Sequence, residues 1–468
     1  MSIINQMYSK IITKSLENSL KAEIKLSSVD NYLDFINYLD GFLLKIVKKS
    51  IINSFESIDF IFKHSNRRKN LYYTKGLYPR TIMTLFGEIT FQREYYVPKD
   101  RNTDGFFYVD ELFSLPKRDY YDPMIKAYII ELSGKYSYIQ SGEIIGDKIG
   151  SKFKNLAEKK LSSISRQTVY NVIKHSDLDS FSCEEKEDIE TLYIQFDEKW
   201  VYTQNNNHQM KEIKAAVIYT DIKEEYNGRN KLIDRHVITS DISAFDIRKK
   251  VLDYINNTYN VDKIKDVVTS GDGASWIKHS IDRFKFTPNT TVMFVLDRFH
   301  MHQAINHISK DDDIKYYLRH YIKSGMRKSF TDTCDALITE SPHREEMISK
   351  NRNYIVNNWF VIKNQSNPLF KGCSMEGHIS HVLAALFTSR PKAHCLHMIT
   401  KRLKIRELLT NDQDVKSIYL SNHTNPIPEI DYIESNHRYP TELFDVIGHK
   451  VTSKYKMFKR VAHSTIFS

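Results

Sequence analysis

The stretch that decides the fold is Val267–Ile305, VVTSGDGASWIKHSIDRFKFTPNTTVMFVLDRFHMHQAI. It holds two β-rich apolar runs, and each is closed by an aspartate, Asp272 and Asp297. A strand tip holds a side chain more rigidly than a loop does, which suits an acid that grips a metal or performs a reaction. The same placement suits an N-cap, because Asp is favoured just before a helix. At Asp272 the cap reading has Gly273 to ease the turn.

The pattern upstream decides what surrounds these tips. TLYIQFDEKWVY ends its apolar run near Asp197, EIKAAVIYTDI predicts a second strand and LIDRHVITS a third. AFDIRKKVLDYINNTY is an amphipathic helix, IKDVVTSGDG a fourth strand, ASWIKHSIDRF a helix and TTVMFVLD a fifth strand. Three strands followed by helix, strand, helix, strand predict an antiparallel meander and then right-handed crossovers. That succession is the ribonuclease H order, an α/β core assigned to residues 190–297.

Downstream, residues 298–371 are strongly helical and basic, too long for a loop, and read as a helical insertion. The core is completed over 372–410 by a helix that carries Glu376, and 411–468, with Pro426, Pro428 and Pro440, reads as an irregular tail. Ahead of the core, 1–121 is an α+β DNA-binding region: an N-terminal amphipathic helix, further helix to about residue 65, then a hairpin over Leu71–Val97 turning at Gly87. Residues 122–182 are helical. There SYIQSGEIIGDKI and SRQTVYNVIKHSD match a helix-turn-helix, although the link between them is long, and a plain bundle fits equally.

The chain's 468 residues, 41% hydrophobic and 12% aromatic, are globular in composition and imply several domains. No apolar run approaches the roughly 18–20 residues that cross a bilayer, so the protein is expected in the cytoplasm without a membrane partner. Four scattered cysteines without a C-x-x-C pair argue against a disulfide framework and a zinc ribbon. The net charge of +10 favours a polyanion such as nucleic acid.

Two divalent ions held about 4 Å apart require about three acids from different elements. In the ribonuclease H order these come from the first strand, the end of the fourth and a helix after the fifth, where Asp197, Asp272 and Glu376 stand. Glu198 competes with Asp197, and strand alternation puts the two on opposite faces. Glu376 also fits a first-turn acid favoured by the helix dipole. His300 and His307 share a helical face while His302 points elsewhere, and no cysteine completes a zinc site. G-D-G-A lacks the spacing of a phosphate-cradling loop.

FDEKWVY, GDGASWIK, VLDRFHMHQAI and EGHISHVLAALFTSRP, in that order, resemble the blocks of the ISLre-group bacterial insertion-sequence transposases. These are DDE enzymes with a helical insertion before the last glutamate, long grouped as an uncharacterised protein family. RTIMTLFGEITFQREYYV and SRQTVYNVI extend the likeness over most of Tyr73–Pro391. The resemblance implies a catalytic, metal-holding triad of Asp197, Asp272 and Glu376, with two Mg²⁺ or Mn²⁺ ions. Asp297 and His300 follow as second-tier candidates. It further implies cleavage and strand transfer of double-stranded DNA at terminal inverted repeats, a homodimer or higher multimer, and a place on the bacterial nucleoid. Where the family continues M-G-W after S-R-P, this chain has Lys392, Ala393 and His394.

Expected DNA contacts are Arg80 and Arg93 on the hairpin, Arg166 at the helix start, Arg319, Lys323, Arg327 and Lys328 in the insertion, and Arg390. For the two hairpin arginines a solvated basic face is the plainer reading. Two other functions fit the same residues: a metal-dependent nuclease of this fold that cuts without joining, and a non-catalytic domesticated DNA-binding protein.

Overall fold

The computed structural model describes residues 31–100, 103–152, 154, 156–179, 185–204, 210–225, 229–278, 281–372, 377, 379–388 and 394–424. The expected N-terminal helix and the prolines of the tail lie outside the described residues. The chain divides into two compact units, Met1–Leu132 with Ser137–Asp177 and Lys416–Ser468, and Ser133–Tyr136 with Leu178–Val415. The hairpin region and most of the helices that follow it fall in one unit.

In the first unit, α1 (Tyr32–His64) begins where the Asn31 side chain accepts from the Asp34 N–H at 3.0 Å. Its residues Ile51, Ile52 and Phe55 pack on the antiparallel hairpin of β1 (Tyr72–Thr84) and β2 (Gly87–Pro98) through Ile82, Ile89 and Phe91. Phe91 is 1% exposed, and its truncation to Ala would cost roughly 3–5 kcal/mol. The hairpin turns at Leu85–Phe86, with Gly87 at φ +103°, where a side chain is strained. β3 (Phe106–Phe107) extends the sheet beyond β2, which leaves β1 at the edge. A bulge between Thr74 and Leu77 and the residue Pro79 interrupt that edge, which discourages pairing with another chain.

Four helices follow: α2 (Pro123–Ser133), α3 (Tyr138–Lys148), α4 (Leu156–Ser162) and α5 (Arg166–Lys174). A Cβ on Gly142 of α3 would stand 2.0 Å from the Ile164 carbonyl oxygen, so only glycine lets α3 lie on the turn into α5. The two halves of the expected helix-turn-helix thus touch, but α4 occupies the place of the tight turn. α5 is capped by Ser165, buries Val169 and Ile173, and leaves Arg166 exposed.

The second unit is built on a five-stranded sheet. Its strands are β4 (Thr191–Tyr202), β5 (Met210–Tyr219), β8 (His236–Ser240), β9 (Asp266–Gly271) and β10 (Thr291–Leu296), in the order β10-β9-β4-β5-β8. β4, β5 and β8 run antiparallel, while β9 and β10 are parallel to β4. The third expected strand is corrected. Asp234, at φ +50°, breaks LIDRHVITS, so its first residues join β7 (Arg229–Ile233) in a separate ribbon with β6 (Asp221–Glu225).

One sheet face, with Leu192, Ile194, Phe196 and Val267, is covered by Ile247, Val251 and Ile255 of α6 (Ala244–Thr258). The other, with Tyr193, Val217, Val268 and Val295, is covered by Val382, Leu383, Leu386 and Phe387 and by Ile399 and Leu403. Burial on both faces explains the near-continuous apolar runs. The expected ASWIKHSIDRF helix is shorter, one turn at Ser275–Lys278 and a 3₁₀ turn at Ile281–Phe284.

The insertion contributes α7 (Arg298–Ile308), α8 (Asp312–Lys323), α9 (Arg327–Glu340) and α10 (Glu345–Asn357), packed around Ile305, Leu318, Phe330 and Ile355. The single helix expected to carry Glu376 is corrected: a π-helical turn at Ile379–Ala384 and one α-turn at Ala385–Phe387 precede α11 (Leu396–Thr410). Between them His394 bridges to Thr203 at the end of β4. The tail is likewise not wholly irregular, since it starts with α12 (Val415–His423). Among the described residues, no helix is long and apolar enough to cross a membrane.

Candidate active site

Strand register aligns the aspartates. β4 and β9 pair Gln195 with Ser270, which two residues further on sets Asp197 beside Asp272. β10 and β9 pair Leu296 with Gly271, and the Asp297 N–H donates to the Gly271 carbonyl at 2.9 Å, so Asp297 flanks Asp272 on its other side. Adjacent strands lie about 4.8 Å apart, so three carboxylates form one row across three neighbouring strands. Alternation groups Asp197 with Tyr193, toward the face covered by Leu383 and Phe387, while Asp272 and Asp297 follow directly on the last residues of β9 and β10. Asp197 and Asp297 are buried, 7% and 4% exposed, and Asp272 is half-buried.

The local chain orients each acid. Asp197 accepts from the Glu198 N–H at 2.7 Å, Asp272 from the Ala274 N–H at 2.8 Å and Asp297, the N-cap of α7, from the Phe299 N–H at 3.0 Å. Both glycines of G-D-G are required. A Cβ on Gly271 would lie 2.8 Å from the Phe196 carbonyl oxygen, and Gly273, at φ +83°, would meet Asn358 Oδ1 at 2.7 Å. His300 is half-buried in the first turn of α7, the helix that Asp297 caps, and so stands next to one end of the row.

The insertion fastens the same ends, through residues that sequence reasoning missed. The Tyr354 hydroxyl donates to the Asp272 carbonyl at 2.6 Å. Asn364 and Gln365 donate side-chain N–H groups to the Phe294 and Leu296 carbonyls at 2.7 and 2.8 Å. The Asn-rich run NYIVNNWFVIKNQ was the available signal, but nothing in it reveals the partners.

Glu376 and Arg390 lie outside the described residues. On either side of Glu376 in the chain, the Gly372 carbonyl is 3.5 Å from Gln195 Nε2, two residues before Asp197, and Val382 packs against the face that carries Tyr193 and Asp197. Among the described residues no three His, Cys, Asp or Glu side chains close on one point as a metal cage does. The row is an open line of hard oxygen donors, the chemistry Mg²⁺ and Mn²⁺ take with one or two carboxylates and substrate oxygens.

Glu198 faces away from the row. Its carboxyl is pushed up to about 7 by burial and by a hydrogen bond shared with Glu212, while Trp276 Nε1 donates to it at 2.9 Å. Glu198 is half-buried, and the charge of Asp272 also raises its carboxyl.

The cations separate into two groups. Arg80 and Arg93 are not DNA-facing. Arg80 is 7% exposed and bonds to Asp110 at 2.7 Å and to the Pro116 carbonyl at 2.8 Å. Arg93 pairs with the same Asp110 and stacks 3.6 Å over Phe107. Arg166, Arg319, Lys323, Arg327 and Lys328 are exposed. His394, at a departure from the family pattern, is buried with Nε2 3.1 Å from the Phe387 carbonyl.

The family model described as Uncharacterised protein family (UPF0236) matches residues 32–417. A UPF0236 protein of Caldanaerobacter subterraneus subsp. tengcongensis is 29% identical over 384 residues, covering 80% of this chain and 77% of its own. A second from that organism is 28% identical over 388 residues, covering 80% and 78%. The chain belongs to the uncharacterised protein family UPF0236.

Proposed function

We propose that the second unit is a ribonuclease H-like core and that the protein is a DNA transposase, cutting and joining the ends of an insertion sequence by a DDE mechanism. The observation that carries this reading is the row of Asp197, Asp272 and Asp297 on neighbouring strands. Like charges at this spacing repel, and a divalent cation offsets that cost. The family resemblance adds Glu376 to this set, and Gly372 and Val382, before and after it in the chain, lie over the face that carries Asp197. When bound, two Mg²⁺ or Mn²⁺ ions supply an activated water or 3′-hydroxyl and stabilise the leaving oxygen.

The chain's own part is positioning. Gly271 and Gly273 let the Asp272 turn pass close to β4 and to Asn358, and Tyr354 holds its carbonyl. Arg319, Lys323, Arg327 and Lys328 neutralise phosphates, and Arg166 reaches DNA from the start of α5. A homodimer that pairs two DNA ends on the bacterial nucleoid completes the reading. One relative's name joins eleven locus designations and another's four, as expected for a gene carried in many copies by a mobile element.

The test incubates purified protein with Mg²⁺, a plasmid and a duplex made from the DNA that flanks the gene. A transposase nicks the duplex and joins the exposed 3′ end to the plasmid. Cutting without joining supports the nuclease alternative, and binding without either supports the domesticated DNA-binding protein.

A further inference from the structure

On the sheet face opposite the acid row, a cavity of about 350 Å³ opens between β5, the end of β8 and the start of α6. Lys211, Glu212, Lys214, Ile242 and Trp276 line it, together with the start of α6. The volume stands at the small end of the roughly 300–1,000 Å³ range of ligand pockets, which suits one ring system.

The Trp276 ring is fixed on three sides. Its Nε1 donates to Glu198 at 2.9 Å, it packs edge-on to Phe196 at 5.6 Å, and Lys214 Nζ lies 5.3 Å over it. Lys214 is buried and pairs with Glu212, so a cation and a carboxylate are both built into the wall. Large apolar side chains surround the mouth: Ile242 and Phe245 are 66% and 61% exposed, and Trp200, opposite Glu212 in the β4–β5 register, is 47% exposed. An aromatic platform beside lysines is the chemistry that holds unpaired bases along a phosphate backbone. Trp276 follows Asp272 closely in the segment that leaves β9.

We propose that this cavity receives an unstacked nucleobase of the DNA strand being processed, with Trp276 as its stacking wall and Lys211 on the adjoining phosphate. The proposal rests on the DNA-processing reading above and adds where the strand is opened.

The test photo-crosslinks the full chain to a short single-stranded oligodeoxynucleotide carrying one 5-iododeoxyuridine, maps the adduct by mass spectrometry, and measures affinity for single strand and blunt duplex. The adduct is expected on Trp276 or Trp200. Base stacking contributes about 1–3 kcal/mol, so Trp276→Leu, which removes the stacking wall, should lower its yield about fivefold or more, and Lys211→Ala, a change at the rim that spares the core, should lower it in the same direction. Adducts that map only elsewhere, such as the exposed Tyr316 and Tyr317 of α8, with both variants behaving as the parent, overturn the proposal while the DNA reading stands. Failure to bind either form of DNA overturns the DNA reading, and this proposal with it.

Discussion

Both units bury acids, and they surround them differently. In the first, Asp59 accepts from the Glu94 N–H at 2.6 Å and the Tyr96 hydroxyl at 3.2 Å, and Glu94 accepts from Lys63 Nζ at 2.6 Å and the Gly76 N–H at 2.8 Å. A cation, a hydroxyl and two amides satisfy the pair, and it fastens α1 to the hairpin. In the second, Asp197, Asp272 and Asp297 stand in a row, and the amides of Glu198, Ala274 and Phe299 aim them. Those bonds come from each acid's own turn. Burial is common to both sets of acids; what differs is the identity of the donors and the neighbours in the sheet.

The largest expected effect that tests this contrast is on the row. Asp272→Asn keeps the shape and the Ala274 bond but removes a charge, and should lower strand transfer by more than about 100-fold, above the 10–100-fold typical of supporting residues. Gel-shift affinity for the same duplex should stay at the parent value. In the first unit the corresponding break is structural. Arg80→Ala leaves Asp110 buried with one cation fewer and should cost roughly 3–5 kcal/mol in urea unfolding.

The Asp59 cluster also predicts a pH dependence. Burial pushes the Asp59 carboxyl from 3.8 up to about 6, so the folded chain binds this proton more tightly than the unfolded chain does. Its contribution is complete below about pH 3.8 and is lost as pH rises through about 6, up to on the order of 3 kcal/mol. Thermal melts should therefore show the first unit gaining stability from pH 7.5 to pH 5, and Asp59→Asn should flatten that trend. A milder change sharpens the second unit: Tyr354→Phe should slow strand transfer by about 10-fold at unchanged DNA affinity, as loss of a supporting hydrogen bond does. The smallest effect belongs to the surface cations. Each of Lys323→Ala and Arg327→Ala should reduce the slope of log affinity against log salt by about one.

Much of this was legible in the sequence where the signal is local. The apolar runs closed by Asp272 and Asp297 form β9 and β10, and the basic run 298–371 forms a helical body. What depends on distant partners was not. Arg80 and Arg93 read as surface cations because Asp110, which buries them, is separated from both in sequence. The break at Asp234 needed a positive φ that its residue type does not announce. The alignment of three acids follows from sheet register, and sequence spacing gives no access to register between strands 75 residues apart such as Gln195 and Ser270.

The proposed function stands or falls on whether the open acid row at β4, β9 and β10 holds divalent ions. Ferrous iron substituted for Mg²⁺, with ascorbate and peroxide, cuts a protein chain beside the ion it holds, and mass spectrometry maps the cuts. Cleavage is expected next to Asp197, Asp272 and Asp297, suppressed by excess Mg²⁺ and lost in Asp272→Asn. Cuts confined to other segments, or unchanged by that substitution, would contradict it.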